Sequence, residues 1–341
     1  MKKYKLLTPK EYLEDLKKES SRAKKRVWLQ AMYYLPSKTT SELTELLTTA
    51  GKRSLDTRLQ FDYITLMDTD PDVPFISKIL LKDDTTNLPP QKRHKLKKQI
   101  LHTLKKAGVK VNILNKPKGL NILLPLKGRN HIKLNIIDNI AYVGGINYGV
   151  VDFENRDFMV KIHDLNIVKE LVKIYETVWN NQLNKDENII INKEVSLWLD
   201  YGGFNKSTIL ENVISSLKKA NKSILYTGQF PPDGAYLKEL VKADKRGVKV
   251  SVLLSKKSHN EPVTRLLDYL SRKHMYFRGK DFKVKLDNKR VHAKVTLIDE
   301  ETLIFGSHNY SKSGVLLGTS ELTLKIKDRD LSLQALKYLG F

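Results

Sequence analysis

The sequence contains no cysteine, which excludes a disulfide framework, a catalytic thiol and any thiolate-bound metal or iron–sulfur cluster. It also lacks any run approaching the roughly 18 apolar residues of a membrane-spanning helix. Lys5, Lys10 and Glu11 interrupt the amino-terminal segment, so it does not have the apolar region of a signal peptide. We therefore expect a cytoplasmic protein.

Acidic residues are few, and their shortage dominates the charge. The 341 residues include 61 Lys+Arg against 38 Asp+Glu, which gives a formal net charge of +23. Such a charge favours a polyanionic partner: nucleic acid, an anionic lipid surface or a phosphate-bearing small molecule. The alternative is a lysine-rich surface that only keeps the protein soluble.

Strand-like and helix-like segments alternate along the chain, and the order occurs twice. We predict an α/β fold of two similar halves, residues 1–187 and 188–341, each a mixed, mostly parallel sheet flanked by helices. The strand at 54–61 corresponds to 247–254, and the strand at 109–114 to 275–278. In this register the first half carries a basic insertion at about 68–97. We expect the halves to pack about a pseudo-twofold axis.

Two segments repeat residue for residue. Each has a histidine, a lysine two positions later, an aspartate seven positions later, and then a Gly-Gly or Gly-Ser pair with an asparagine three positions after the first glycine. These residues are His131, Lys133, Asp138, Gly144, Gly145 and Asn147 in the first copy, and His292, Lys294, Asp299, Gly306, Ser307 and Asn309 in the second. Two copies at equivalent places in a duplicated chain indicate a functional site.

The alternation of polar and apolar residues predicts that His131 and Lys133 lie on one face of a strand, roughly 6–7 Å apart. An imidazole and an ammonium at that spacing can straddle one phosphate, and Asn147 and Asn309 can add amide donors. With both copies at one phosphoryl group, one histidine can attack phosphorus while the other protonates the leaving alkoxide. We expect this site to need no metal and no cofactor.

A nucleophilic imidazole needs an acceptor on its other ring nitrogen. Asp157 follows His131 by 26 positions and Glu321 follows His292 by 29, each at the start of a strand-like run. We expect these carboxylates to orient the histidines, with an ordinary salt bridge as the alternative. Asp138 and Asp299 are too far along their strands to reach the histidines, so we expect them to accept backbone hydrogen bonds that fix the glycine turn.

The paired motifs resemble those of the phospholipase D superfamily, and the resemblance extends over most of the chain. Within it the sequence is most similar to bacterial cardiolipin synthases and related phosphatidyltransferases, as residues 58–62 (RLQFD), 106–115 (KAGVKVNILN), 155–157 and 319–321 show. This resemblance implies two similar α/β halves, a shared site, a phosphohistidine intermediate and no metal. In several members of this superfamily the amino-terminal histidine is the nucleophile, so the resemblance favours His131 over His292 for this role.

The choice between lipid and nucleic acid as substrate depends on a basic segment. Residues 85–137 contain no Asp or Glu. A basic helix at 92–107 beside the apolar piece 73–81 could rest on an anionic bilayer. The same lysines could instead follow a nucleic-acid backbone, although residues 92–133 contain no aromatic side chain for base stacking. The apolar piece favours lipid, unless it forms a short core helix.

We therefore predict a phosphatidyltransferase or phospholipase D that acts on anionic glycerophospholipid, attached peripherally to the inner face of the membrane. The alternative enzyme is a metal-independent nuclease acting on DNA or RNA. A third hypothesis is an inactive module that only binds polyanions, which the intact histidines, lysines and asparagines disfavour. We expect a monomer, because one chain carries both motifs.

Overall fold

The computed structural model describes residues 2–70, 73, 88–117, 127–149, 151–256 and 262–341. They form two compact units. Unit 1 comprises Met1–Phe153 and Met159–Asn184, and unit 2 comprises Glu154–Phe158 and Lys185–Phe341. The sequence-based division at 187/188 placed 154–158 in the first half, whereas the structure assigns this short segment to unit 2.

Unit 1 is a seven-stranded sheet with helices. Its strands are β1 (Tyr4–Leu7), β2 (Arg26–Ala31), β3 (Asp56–Asp62), β4 (Lys110–Leu114), β5 (Leu134–Ile137), β6 (Ile140–Gly144) and β7 (Met159–Ile162). Its helices are α1 (Pro9–Arg22), α2 (Lys38–Lys52), the single-turn α3 (Ile64–Met67), α4 (Pro90–Lys106) and α5 (Leu165–Trp179).

The strand order in unit 1 is β1-β7-β6-β5-β2-β3-β4. The β2–β3 and β3–β4 ladders are parallel, and the other four ladders of this sheet are antiparallel. Helix α1 begins at a capping box in which Thr8 and Glu11 satisfy each other's backbone donors. Tyr12 and Leu16 of this helix are fully buried in the core with residues of β2, β3 and α2.

Unit 2 repeats this plan with one additional strand. Its strands are β8 (Glu187–Ile190), β9 (Val195–Asp200), β10 (Ser223–Thr227), β11 (Lys249–Ser255), β12 (Lys283–Asp287), β13 (Lys294–Ile298), β14 (Thr302–Gly306) and β15 (Glu321–Lys327). Its helices are α6 (Thr208–Leu217), α7 (Gly234–Lys245), α8 (Pro262–Arg278), α9 (Lys312–Leu317) and α10 (Arg329–Leu339).

The strand order in unit 2 is β12-β11-β10-β13-β14-β15-β9-β8, so all seven strands of unit 1 have a counterpart and β8 is the addition. The internal duplication and the mixed sheets flanked by helices are confirmed. The expectation of mostly parallel sheets is wrong: among the ladders of the described strands, only β2–β3, β3–β4, β10–β11 and β11–β12 are parallel. The chain returns after each motif, which makes the next two ladders, β5–β6–β7 and β13–β14–β15, antiparallel.

The structure differs from the expected strand at 275–278, and it describes only part of the insertion at 68–97. The strand expected at 275–278 belongs to helix α8, which continues to Arg278, and the strand equivalent to β4 is β12. Gly279 follows the helix, and its N–H donates to the Met275 carbonyl oxygen at 2.8 Å. The central part of the insertion, including the apolar piece 73–81 apart from Val73, lies outside the described residues.

Candidate active site

The motif histidines lie at the entrance to equivalent strands. Strand β5 begins at Leu134 and strand β13 at Lys294, so His131 and His292 precede regular strand structure. The expectation of a continuous strand through both side chains is therefore wrong. In unit 2 the reason is visible: the backbone N–H groups of His292 and Ala293 both donate to the Arg156 carbonyl oxygen, at 3.0 Å.

The motif lysines are buried beside their histidines. Lys133 Nζ lies 2.6 Å from the carbonyl oxygen of His131, and Lys294 Nζ lies 2.6 Å from that of His292. Lys294 Nζ is also 2.9 Å from His292 Nε2, closer than the spacing along an ideal strand predicts. Each ammonium is thus fixed by its own motif, and that of Lys294 faces the imidazole edge of His292.

His292 is oriented by Asp157. Its Nδ1 lies 2.7 Å from Asp157 Oδ2, and both side chains are buried. The carboxylate acceptor assigns the ring proton to Nδ1, which leaves the Nε2 lone pair toward Lys294. Asp157 therefore bonds the histidine of the second motif, 135 positions away in sequence. The expectation that it orients His131 stays a prediction.

The reason for this pairing is the placement of segment 154–158 in unit 2. Arg156 forms an isolated parallel bridge with Val291, and its guanidinium is 2.7 Å from Asp287 at the end of β12. The Tyr338 hydroxyl on α10 donates to the Asp157 carbonyl oxygen at 2.8 Å. These contacts hold Asp157 next to the second motif.

Glu321 is a buried residue at the start of β15. It accepts hydrogen bonds from the hydroxyls of Ser307 and Thr319, the latter at 3.0 Å. Gly306, just before Ser307, must be glycine because a Cβ there would lie 2.7 Å from the Thr323 Cα. The Gly-Ser pair thus brings β14 against β15 and holds the Glu321 carboxylate in place.

The motif asparagines differ in their contacts. Asn147 Oδ1 accepts the Met32 N–H at 3.2 Å, just beyond β2, and this bond defines which end of the amide donates. Asn309 Oδ1 is buried without a hydrogen-bond partner. Their roles as donors to a phosphate remain a prediction.

Asp138 and Asp299 end their motifs with positive φ angles of 49° and 55°. Asp138 accepts the backbone N–H groups of Lys24, Lys25 and Arg26 at 2.8–3.0 Å, at the start of β2. Asp299 accepts those of residues 221–223 at the start of β10. Both accept backbone bonds as expected, but they fix the adjacent strand and not the glycine turn.

The pKa of each of these aspartates reflects that environment. Partial burial opposes the charged form, but the three backbone donors outweigh it and lower the pKa of both carboxyls. Asp138 and Asp299 therefore remain ionised.

Two positioning residues escaped the sequence-based predictions. Asp62 and Ser255 are the last residues of the equivalent strands β3 and β11. Asp62 Oδ2 accepts the Asn130 N–H at 2.7 Å, and Ser255 Oγ accepts the Val291 N–H at 2.8 Å. Each thus holds the residue just before a motif histidine. Alignment of the strand ends in the two repeats is the signal that would have found them.

The two anchors differ in charge. Asp62 also pairs with Arg129, whose Nη1 lies 3.0 Å from Oδ1, and both side chains are buried. Burial raises the pKa of Asp62 despite Arg129 and the surrounding donors. The first motif therefore begins at a buried ion pair, and the second at a neutral hydroxyl.

A second buried acid lies behind the second motif. Asp200 ends β9 directly opposite Glu321 in the strand register, and it accepts the Ser207 hydroxyl at 2.6 Å and the Ile209 N–H at 3.0 Å. Burial raises the pKa of Asp200 to about 7. The neighbouring His308 is buried, and burial lowers its pKa.

Part of the basic run is neutralised inside unit 1. Arg93 and Lys97 on α4 are buried and pair with Asp68, and Arg129 pairs with Asp62. These three residues therefore support structure and do not form an exposed basic surface. The exposed basic residues of α4 are Lys92, Lys95, Lys98, Lys105 and Lys106.

In the described ranges, no cluster of three or more histidine, aspartate or glutamate side chains could hold a metal ion. Nor does any helix in the described part of the chain combine the length and the apolar character needed to cross a bilayer.

Comparison with known proteins assigns the chain to a family. The sequence profile of the family described as "Cardiolipin synthase, PLD-like domain" matches residues 16–179 and 213–340, which span both motifs. The chain belongs to this family. The resemblance seen in the sequence to the phospholipase D superfamily and its cardiolipin synthase members is thereby confirmed.

This cardiolipin synthase-like chain is similar to the minor cardiolipin synthase ClsB of Bacillus subtilis, with 26% identity over 253 residues. That match covers 68% of this chain and 61% of the relative, so the chain spans somewhat less than two thirds of the relative's length.

Solved structures show the same fold at low identity. Phosphatidylserine synthase from Haemophilus influenzae has a TM-score of 0.72 at 12% identity, over 99% of this chain and 85% of that one. Polyphosphate kinase from Porphyromonas gingivalis has a TM-score of 0.60 at 12% identity, over 99% of this chain and 50% of that one. At this identity the similarity shows the fold alone.

Proposed function

We propose that this chain is a phosphatidyltransferase that acts on anionic glycerophospholipid, with phosphatidylglycerol as donor and acceptor, through a covalent phosphohistidine. The observation that supports it most directly is the Asp157–His292–Lys294 arrangement in a chain of the cardiolipin synthase family. The carboxylate fixes the imidazole and stabilises its protonated form, which is what a general acid needs.

In the first step His131 attacks phosphorus and a P–N bond forms. The P–O bond to the leaving glycerol breaks, and protonated His292 gives its proton to that alkoxide. In the second step neutral His292 takes a proton from the hydroxyl of a second lipid, whose oxygen attacks phosphorus as the P–N bond breaks. Lys133, Lys294, Asn147 and Asn309 offset the charge on the phosphoryl oxygens during both steps.

Hydrolysis is the same reaction with water in place of the second lipid. The preference between them depends on whether water is excluded in the second step. We propose transfer because the similar protein ClsB is a cardiolipin synthase.

The test uses the full chain with phosphatidylglycerol in detergent micelles and EDTA in excess. We expect cardiolipin and glycerol as products, and a loss of about a thousandfold or more in His131→Gln and in His292→Gln. His102→Gln, an exposed histidine on α4, is the matched control and keeps full activity. Acid quenching followed by peptide mass spectrometry should place the covalent adduct on His131.

Three results would overturn parts of this proposal. Cleavage of single-stranded DNA with untouched lipid would assign the chain to a nuclease. Activity that disappears in EDTA would contradict a metal-independent mechanism. An adduct on His292 would exchange the roles of the two histidines.

A further inference from the structure

The outer face of helix α8 carries an unusual concentration of exposed apolar side chains. Five of the thirteen large hydrophobic residues exposed in the described part of the chain lie on this helix. They are Leu266 (58% exposed), Tyr269 (51%), Leu270 (52%), Tyr276 (44%) and Phe277 (72%). The other eight are distributed over several elements of both units.

These five residues form one continuous stripe together with Lys273. Positions 266, 269, 270, 273, 276 and 277 follow the helical period, and at 3.6 residues per turn they occupy about 120° of the circumference. The opposite face is buried and includes Asp268 and Met275. The stripe is therefore not part of the core, although it is as broad as a core-facing one.

The exposed charged residues described on α8 are all basic. They are Arg265, Lys273 and Arg278, and Lys280 and Asp281 follow the helix. The one described acid of the helix, Asp268, is buried and pairs with Arg272 at 2.8 Å. Lys273 Nζ lies 4.8 Å from the Tyr269 ring centre, so its stem runs along the stripe. Aromatic and aliphatic groups flanked by cations are typical of helices that lie in the headgroup region of an anionic bilayer.

The inner face of α8 connects to the second motif through a short series of contacts. Arg272 Nη2 donates to the Ser255 carbonyl oxygen at 2.9 Å, and Ser255 Oγ accepts the Val291 N–H beside His292. Arg290, two residues before His292, and Lys289 are exposed and basic. The helix that presents the stripe is thus fixed to the strand end that positions a catalytic histidine.

Helix α4 occupies the equivalent position in unit 1 and gives the contrast. It exposes five lysines, but none of its described large apolar side chains is exposed. It can add electrostatic attraction but offers no apolar insertion. The bilayer anchor expected at 73–81 in the first half lies outside the described residues apart from Val73 and stays a prediction. The exposed apolar surface that the structure shows lies in unit 2.

We propose that the outer face of α8 docks on an anionic phospholipid bilayer, with Phe277, Tyr276, Leu270, Tyr269 and Leu266 entering the headgroup boundary. This inference rests on the proposed function for its choice of partner, since a lipid-active enzyme must meet its substrate at a bilayer. A membrane is favoured over single-stranded nucleic acid because the stripe is the convex face of a helix and contains two leucines, whereas base stacking uses a grooved surface.

The chain lacks cysteine, so a single introduced thiol can be labelled selectively. Phe277→Cys carrying an environment-sensitive fluorophore should show a blue shift with vesicles of phosphatidylglycerol and phosphatidylcholine, and little with phosphatidylcholine alone. Phe204→Cys is the matched control, because Phe204 is 69% exposed against 72% for Phe277 and lies in the loop between β9 and α6. It should show no shift with either vesicle.

Unlabelled variants measure the size of the effect. We expect Phe277→Glu to lower binding to phosphatidylglycerol vesicles about tenfold or more, and Lys273→Ala about fivefold at low salt. Phe204→Glu should bind like the unaltered chain. Turnover of phosphatidylglycerol dispersed in detergent should be unchanged in Phe277→Glu, because that residue lies on the outside of α8.

An unshifted label at position 277, or equal vesicle binding by Phe277→Glu and the unaltered chain, would overturn the inference. So would a dimer that Phe277→Glu dissociates in sedimentation, or a loss confined to binding of a labelled single-stranded oligonucleotide. Binding is measured without turnover, so the two proposals fail separately. No turnover in micelles with a normal blue shift would remove the proposed function alone.

Discussion

The two motif regions have the same residues at the same strand positions but are held in place by different chemistry. The first motif begins beside the buried ion pair of Asp62 and Arg129, whereas the second begins beside the hydroxyl of Ser255. Asp62 and Ser255 accept equivalent backbone N–H groups, each from the residue just before the motif histidine. The comparison shows that the duplication has kept the position of the anchor and changed its electrostatics.

The two repeats also differ in how chain segments are distributed. Residues 154–158 follow the first motif in sequence, yet they belong to unit 2 and supply Asp157 to His292. No sequence offset within one repeat predicts such a pairing. The second motif therefore depends on a segment that follows the first.

Among the residues that hold the two motifs in place, replacement of Asp157 should have the largest effect on activity. Asp157→Asn keeps the shape but permits the wrong imidazole tautomer and no longer stabilises the protonated ring, so we expect kcat to fall about a hundredfold to a thousandfold with little change in KM. Glu154→Gln, an exposed acid of the same segment, is the control. Equal activity in both variants would show that the carboxylate has no catalytic consequence.

Substitution of the two anchors, Asp62 and Ser255, should lower the free energy of unfolding by different amounts. Asp62→Ala leaves Arg129 buried and unpaired, so we expect it to lower the free energy of unfolding by about 3–5 kcal/mol. Ser255→Ala removes one neutral hydrogen bond and should lower it by about 1 kcal/mol. Urea denaturation of the full chain measures both. Similar losses in the two variants would contradict the assigned difference in charge.

The buried acid behind the second motif predicts a pH dependence. The folded pKa of Asp200, about 7, lies above its unfolded value, so the folded state binds more protons between about pH 4 and 7 and loses stability as pH rises through that window. Asp200→Asn removes this loss. We expect the variant to gain on the order of 3 kcal/mol relative to the unaltered chain between pH 5 and pH 8.

Parallel pH titrations of denaturant unfolding check this prediction. Asp186→Asn, which removes a more exposed acid near Asp200, is the control and should retain most of the pH dependence. A constant difference between Asp200→Asn and the unaltered chain over this range would show that Asp200 is already ionised at pH 5.

The motif aspartates should give smaller effects than Asp62 and Asp200 and the closest agreement between repeats. Asp138→Asn and Asp299→Asn each weaken three backbone hydrogen bonds to a carboxylate, and we expect each to lower the free energy of unfolding by about 2 kcal/mol. Because both pKa values are lowered in the folded state, this contribution is present near neutral pH and is lost as pH falls below about 4. Chemical denaturation at pH 7 and pH 3 tests both points. Unequal losses would mean that the two clamps are not equivalent.

The sequence was sufficient for features that depend on local pattern or on repetition. The duplicated motifs indicated the family and the two-fold repeat of the fold, and residue alternation located β3, β11 and the strands that follow the histidines. It failed at 275–278 because helical period and strand alternation are hard to distinguish over four residues, and only the continuation of α8 to Arg278 decides between them.

The amino-acid sequence by itself identified the residues that we propose carry the chemistry: two histidines, two lysines and two asparagines in matched order. Only the tertiary structure decided what holds them. The partner of His292, the strand starts fixed by Asp138 and Asp299, and the anchors Asp62 and Ser255 are all contacts between residues distant in sequence. Such contacts leave no fixed spacing in the chain, because they depend on which elements the sheets bring together.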